Sequence, residues 1–261
     1  MIAVQVLVFI FGLLIGSFLN VVIHRIPRGL SVVKPRSSCV KCGHKIRWHE
    51  NIPVISYLLL RGKCSECDVA ISWGYPLVEL LTGLFALLLF PSDINLLQIT
   101  HLEMLRFVVE FSIAAIFLAH FLIDIEHQIL PDKLNLYLLM ITLPYSILTN
   151  PLPHWLIGGL VGFLGPYLVT LLFYKLRGQI GLGGGDIKLF GILGVLLGPV
   201  GVMNTIFMSS LLGSVIGIAL IISKKMNKDT ALAFGPYILV VAAIQIFFPQ
   251  VFAQINPFGF N

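Results

Sequence analysis

The chain alternates long apolar segments with short polar ones, and this pattern predicts its main structural elements. A run of about 17 to 25 apolar residues can cross the hydrocarbon core of a bilayer as a helix. Eight such segments are predicted, at about residues 3–23, 76–90, 105–123, 134–149, 155–174, 187–198, 200–222 and 231–248. The second and sixth are short for a span, which leaves tilted or partly re-entrant helices open for them. The fold class predicted is therefore an all-α polytopic membrane protein with about eight transmembrane helices.

The amino-acid composition agrees with this class. Of 261 residues, 57% are apolar and 11% are charged, with a mean hydropathy of +0.97. A soluble domain carries roughly 25% charged residues. No basic residue precedes the first apolar run, and Arg25 and Arg28 follow it. This order predicts a retained first helix, not a cleaved signal, with its start outside and its end in the cytoplasm.

The positions of the basic residues predict the orientation of the whole chain. Of 17 Lys and Arg residues, 16 fall in alternate loops, and only Arg106 lies near the opposite side. Positively charged loops tend to remain on the cytoplasmic side of a membrane. The net charge of +5 is then explained by orientation and by attraction to anionic membrane lipids, and needs no nucleic acid.

The only sizeable polar segment, residues 24–75, contains all four cysteines of the chain. Cys39 and Cys42 form one CxxC pair, and Cys64 and Cys67 form a second. Two such pairs at this spacing are typical of a structural zinc site with four thiolate ligands. A reducing cytoplasm disfavours two disulfides, so an iron–sulfur or redox centre is the main alternative. The sequence thus predicts a small cytoplasmic zinc-binding module between the first two transmembrane helices.

Two carboxylates are predicted to meet at the cytoplasmic edge of the bilayer. Asp124 ends the third apolar segment, and Asp186 follows four glycines in GLGGGD two spans later. A close pair of carboxyl groups can share one proton, so that one activates a water while the other polarises a carbonyl. Taken alone, Asp186 could also be the N-cap of a helix that begins at Ile187. Such a pair at one edge suits hydrolysis better than transport, for which carboxylates at mid-bilayer are expected.

Five motifs in order along the chain resemble the bacterial type IV prepilin peptidases, which are intramembrane aspartyl proteases of the GxGD type. In addition to the paired CxxC motifs, they are GSFLNVVIHRIPRG (16–29), YPLVELLTG (75–83), IDIEHQILPD (123–132) and GLGGGDIKLFG (181–191). The resemblance implies a bifunctional enzyme with Asp124 and Asp186 as catalytic residues. It also implies that prepilins, or the pseudopilins of type II secretion, are cut after a glycine on the cytoplasmic side. The new N-terminal residue would then be N-methylated with S-adenosylmethionine.

The expected domains are a first transmembrane helix (1–23), the zinc-binding module linked to methyl transfer (24–75) and a transmembrane peptidase domain (76–261). No dinucleotide-type glycine loop occurs in residues 24–75, so a Rossmann site for the cofactor is not expected there. The cofactor is expected near the cysteines and the ends of the first spans, with Glu79 as a candidate participant. A peptidase without methyl transfer and a zinc-bearing transporter remain the alternatives, and the sequence does not indicate the oligomeric state.

Overall fold

The computed structural model describes residues 2–91, 100–179, 181–223 and 232–256, and these residues form an all-helical protein. The helices are α1 (Ile2–Arg25), a 3-10 helix (Trp48–Asn51), α2 (Ile55–Leu59), α3 (Gly74–Leu89), α4 (His101–His127), α5 (Asp132–Thr149), α6 (Leu152–Arg177), α7 (Gly184–Ile222), α8 (Gly235–Phe247) and α9 (Pro249–Ile255). Within the described residues no β-strand forms, and only two isolated β-bridges occur, both beside the cysteine pairs.

Four of the described helices are long and apolar enough to cross a membrane. They are α1, α4, α6 and α7, and a fifth span results if α8 and α9, bent by 117°, are counted together. Helix α3 is apolar but shorter. The chain is therefore a multi-pass membrane protein, whereas the predicted number of eight spans is not confirmed.

Helix α7 is interrupted where the predicted sixth and seventh spans adjoin. Gly198 has φ 73° and ψ 179°, which is not helical, and Pro199 follows it. An unbroken helix of 39 residues would be about 58 Å long, almost twice the hydrocarbon thickness. A Cβ at Gly198 would lie 2.5 Å from the imidazole of His154 on α6, so only glycine fits this break without rearrangement.

The chain divides into two compact units, and the first comprises Met1–Ala119. In this unit α1 packs on α3 through small residues. A Cβ at Gly12 would lie 2.7 Å from the backbone of Gly83, and one at Gly16 would lie 2.6 Å from Cα of Glu79. The two helices therefore approach each other backbone to backbone, as small residues allow in membranes.

The second unit comprises His120–Asn261 and is organised around α6 and α7. Gly158 on α6 directly faces the carbonyl of Gly194 on α7, and Gly162 faces the carbonyl of Phe190. Because neither position has room for a side chain, these two helices also pack closely along their length.

The predicted membrane orientation is not tested by this structure. Three of the basic residues on which it rests, Lys224, Lys225 and Lys228, lie outside the described residues, as does most of the loop before α4. The proposed division at residues 23 and 75 likewise stays a prediction.

Candidate active site and metal centre

Asp124 lies in the last turn of α4, where the chain is about to leave the helix. Its side chain is buried, with the residue only 4% exposed. Oδ2 has no hydrogen-bond partner of standard geometry among the described residues, although the backbone N–H of Gly235 is directed at the same carboxylate. A Cβ at Gly235 would lie 2.6 Å from Oδ2, so the absence of a side chain there makes room for Asp124.

Asp186 is the third residue of α7 and is half-buried. The helix begins at Gly184, with Gly183 as the N-cap, so the interpretation of Asp186 as the N-cap of a helix starting at Ile187 is wrong. Its carboxylate instead reaches back to the backbone N–H of Gly183. This is half of a capping box, in which an acidic side chain at N3 satisfies a free N–H of the first turn.

The structure brings the two carboxylates close enough to interact electrostatically. Leu130, in the loop between α4 and α5, packs against the start of α7 and the start of α8. A Cβ at Gly185 would lie 2.9 Å from the Leu130 carbonyl, and one at Gly235 would lie 3.1 Å from its Cδ2. Asn135 also donates a hydrogen bond from Nδ2 to the Gly185 carbonyl at 3.3 Å. Leu130 and Asn135, which follow α4, therefore link the end of α4 that carries Asp124 to the start of α7 that carries Asp186.

The third aspartate of this region, Asp132, has a different environment. Its carboxylate forms an ion pair with Lys188 at 2.6 Å, and the side chain is 70% exposed. An exposed pair of this kind contributes little to stability. Asp132 therefore serves as a natural control for the two buried or half-buried aspartates.

The two CxxC pairs fold into a matched pair of knuckles. Cys39 N–H donates to the His44 carbonyl at 2.9 Å, and Cys64 N–H donates to the Val69 carbonyl at the same distance. The residue after each pair has a positive φ, 73° at Gly43 and 53° at Asp68. The first knuckle thus turns at a glycine, and the second knuckle makes the same turn with an aspartate.

The four thiols of these knuckles converge on one point. Their sulfur atoms all lie within 4.8 Å of one another, with 3.8 Å between Cys39 and Cys67 and 4.0 Å between Cys42 and Cys64. A regular tetrahedron of sulfurs about 2.3 Å from a zinc ion has edges of about 3.8 Å. Hydrogen bonds from the backbone N–H groups of Cys42 and Lys41 lower the pKa of the Cys39 thiol to about 6, which favours the thiolate at this one position, whereas the pKa of the Cys67 thiol is raised to about 12. The predicted four-cysteine cluster is confirmed, and its dimensions fit zinc.

Glu50 links the two knuckles, a role that the sequence does not reveal. Its carboxylate accepts hydrogen bonds from Ser65 Oγ at 2.6 Å and Arg47 N–H at 2.8 Å, and contacts His44 Nε2 at 3.1 Å. These contacts, the Ser65 bond foremost, lower the pKa of Glu50 to about 2. The Nε2 atom of His44 is therefore engaged by Glu50 and is not directed at the four sulfur atoms.

Gly235 is the residue of the aspartate site that sequence reasoning missed. It stands in FGPY at the start of α8, and nothing in this string indicates a carboxylate beside it. A glycine directly before a proline at the start of an apolar run was the only available signal, and it is equally typical of an ordinary helix start.

These features define a class of protein: a multi-pass membrane protein with a pair of neighbouring aspartates and a four-cysteine cluster that could hold a metal ion. Comparison with known proteins identifies the family. Residues 10–92 match the bacterial peptidase A24 N-terminal domain, and residues 111–218 match the type IV leader peptidase family.

Curated relatives match along almost the whole chain. A protein of Aeromonas salmonicida is 35% identical over 92% of this chain and 89% of its own. Proteins of Pseudomonas aeruginosa (37%; 90% of this chain, 87% of the relative) and Neisseria gonorrhoeae (35%; 88% and 86%) are similar to the same degree. All three are named prepilin leader peptidase/N-methyltransferase, and no solved structure matches the chain significantly. The chain belongs to the type IV leader peptidase family, which confirms the resemblance inferred from its motifs.

Proposed function

We propose that this protein is a bifunctional prepilin leader peptidase and N-methyltransferase. It cleaves the basic leader from a prepilin or a type II secretion pseudopilin after a glycine, and then methylates the new N-terminus with S-adenosylmethionine. Family membership and the shared name of the relatives support both activities. The bacterial inner membrane is the expected location, with the N-terminus outside and both sites on the cytoplasmic side.

The observation that carries the peptidase assignment is the meeting of Asp124 and Asp186. They belong to different helices, yet their carboxylates lie close enough to interact electrostatically, and Asp124, the less exposed of the two, has an oxygen without a hydrogen-bond partner of standard geometry among the described residues. Burial of such an oxygen is costly unless a water or a substrate group satisfies it. The active site of a hydrolase contains both a water molecule and a polar group of the substrate.

The chemistry follows from one proton shared between two carboxyl groups. The ionised aspartate removes a proton from a water, which attacks the carbonyl carbon of the scissile peptide. The protonated aspartate donates a hydrogen bond to the carbonyl oxygen and stabilises the negative charge that develops there. The Gly183 and Gly235 N–H groups hold the two carboxylates in position throughout.

The four cysteines are proposed to bind a structural zinc ion. All four would be ligands, which leaves no open coordination position for catalysis. The ion would tie together a segment that has few buried apolar side chains and only two isolated bridges. For so small a module, metal binding supplies much of the folding free energy.

The assignment is tested with purified protein, a prepilin and labelled S-adenosylmethionine. Asp124→Asn and Asp186→Asn should each abolish cleavage, because an amide can neither accept the proton of water nor share one with its neighbour. Each variant should still methylate a pilin that has already been cut. Asp132→Asn is the matched control, since it neutralises an exposed carboxylate nearby, and it should cleave at the wild-type rate. Normal cleavage by either dyad variant would refute the assignment.

A further inference from the structure

The first unit contains a large cavity that the peptidase chemistry does not use. Its volume is about 690 Å³, and it is lined by the end of α1, both cysteine knuckles, α2 and the start of α3. Ligand pockets for small molecules are typically about 300 to 1,000 Å³. The cavity can therefore hold a cofactor of the size of S-adenosylmethionine together with one amino-acid side chain of a second ligand.

The lining of the cavity suits a ligand with both charges and an aromatic part. Its cationic groups come from α1 and the loop after it, and its carboxylates come from the 3-10 helix and α3. The charged and titratable lining groups other than Glu79 are His24, Arg25, Lys34, Cys39, His44, Glu50, Tyr57, Cys64 and Tyr75. S-adenosylmethionine carries a carboxylate, an ammonium group, a sulfonium ion and an adenine, so each part has a complementary group.

Glu79 is distinctive among these groups because it is an acidic residue buried in an apolar helix. It is 8% exposed, lies on α3 against Gly16 of α1, and lines the cavity. Burial of a carboxylate costs free energy unless a partner or a function compensates for it. Its protein partners are Ser17 on α1 and the backbone of Val54.

The contact with Val54 fixes the carboxylate in place. Val54 has φ 61° and ψ −48°, and Ile55 N–H donates to the Pro53 carbonyl at 2.6 Å, so this is a γ-turn of the strained type. Val54 N–H in turn donates to Glu79 Oε2 at 2.8 Å. A strained backbone conformation persists only where the surrounding structure enforces it, and such conformations are common at functional sites.

We propose that this cavity is the methyl-transfer chamber and that Glu79 is its general base, an inference that rests on the N-methyltransferase activity proposed above. Glu79 takes a proton from the α-ammonium group of the cut pilin. The freed nitrogen lone pair attacks the methyl carbon of S-adenosylmethionine, the carbon–sulfur bond breaks, and its electron pair stays on sulfur. The product is a methylated ammonium group and S-adenosylhomocysteine, and Glu79 returns its proton to water.

The pH dependence of methylation separates a base from a merely structural residue. An α-amino group has a pKa of about 7.7 to 8.0, so only about 5% of it is free amine at pH 6.5, and nearly all is at pH 9.5. Without its base, the enzyme depends on that free fraction, and the rate of Glu79→Gln should rise about 20-fold across this range. The wild-type rate should rise far less. The other titratable lining groups are common to both proteins, so the ratio of the two rates removes their contribution.

The experiment uses the full-length protein and a pilin already cut by wild-type enzyme. Glu79→Gln keeps an acceptor for Val54 N–H, so zinc content and prepilin cleavage should stay unchanged. Methylation at pH 6.5 should fall at least about 100-fold, the usual contribution of a general base. Glu66→Gln is the matched control, because Glu66 is an exposed carboxylate of the same module outside the cavity lining, and it should methylate normally.

A second readout does not depend on turnover. Ultraviolet crosslinking of labelled S-adenosylmethionine should place the label within residues 17–79, equally in wild type and Glu79→Gln. Label confined to another segment would overturn the location. A Glu79→Gln defect of the same size at every pH, or no defect, would overturn the role as a base. A wild-type protein that cleaves prepilin but never methylates would overturn the proposed methyltransferase and this inference together.

Discussion

Gly235→Ala is expected to slow prepilin cleavage about 100-fold without unfolding the protein. The new Cβ would lie 2.6 Å from Asp124 Oδ2, whereas ordinary contacts begin at 3.4 Å, so the carboxylate must retreat by about 0.8 Å. A displacement of about 1 Å at a reacting group can cost about 100-fold in rate. The cost in stability is small, because the atoms that move are the end of a side chain and Gly235 occupies an ordinary first position in α8.

The assay is the initial rate of leader cleavage by purified variants, with methylation of pre-cut pilin measured in parallel. Gly184→Ala is the matched control, since it adds a methyl group to the GxGD region where nothing lies within 4 Å. It should cleave at nearly the wild-type rate. Methylation should be normal in both variants. If Gly235→Ala cleaves as fast as wild type, the position of the Asp124 carboxylate does not determine the cleavage rate, and the proposed role of Gly235 in making room for it is refuted.

Three further predictions concern the packing of the helices and the metal centre. Gly158→Ala places a methyl group against the backbone carbonyl of Gly194, so its thermal unfolding in detergent should reveal a destabilisation of about 1 to 3 kcal/mol. Gly165→Ala, where nothing lies within 4 Å, should be neutral, and equal stabilities would contradict the close packing of α6 and α7. Cys39→Ser should lower the bound zinc measured by atomic absorption, and an unchanged metal content would refute the four-thiolate site. Glu50→Gln should release zinc to a chelator about tenfold faster through the loss of charge-assisted hydrogen bonds. The pKa of Glu50 is about 2 in the folded protein, so its stabilising contribution is complete above its unfolded-state pKa and is lost only as the pH falls toward 2. The difference in zinc release between Glu50→Gln and wild type should therefore be the same at pH 7 and pH 5.5. A difference that disappears at pH 5.5 would argue against the ionised form of Glu50.

Local patterns predicted the four-cysteine cluster better than the number of membrane spans. The cysteine pairs were readable because the spacing of two CxxC motifs has a direct chemical meaning, whereas Asp124 and Asp186 were selected by their places at the ends of apolar segments and by the resemblance to a family, and their catalytic role stays a prediction. The convergence of the four thiols then follows from two similar knuckles, each with a residue of positive φ directly after its CxxC pair.

Features that depend on contacts between distant segments were not readable. Gly235 matters only because α8 begins beside the end of α4, and Glu50 matters only because the second knuckle brings Ser65 to it. The number of membrane spans could not be predicted from the hydropathy pattern either. Hydropathy detects apolar length, but whether residues 187–222 form one helix or two depends on the backbone at Gly198.

The most direct test of the account is a double-mutant cycle for cleavage with Asp124→Asn, Asp186→Asn and the doubly substituted protein. If the two carboxylates act as one unit, each single change removes the whole contribution of the pair. The doubly substituted protein is expected to be no slower than either single variant. Losses that multiply in the doubly substituted protein, or substantial cleavage by one single variant, would show that the two aspartates act independently and would contradict the account.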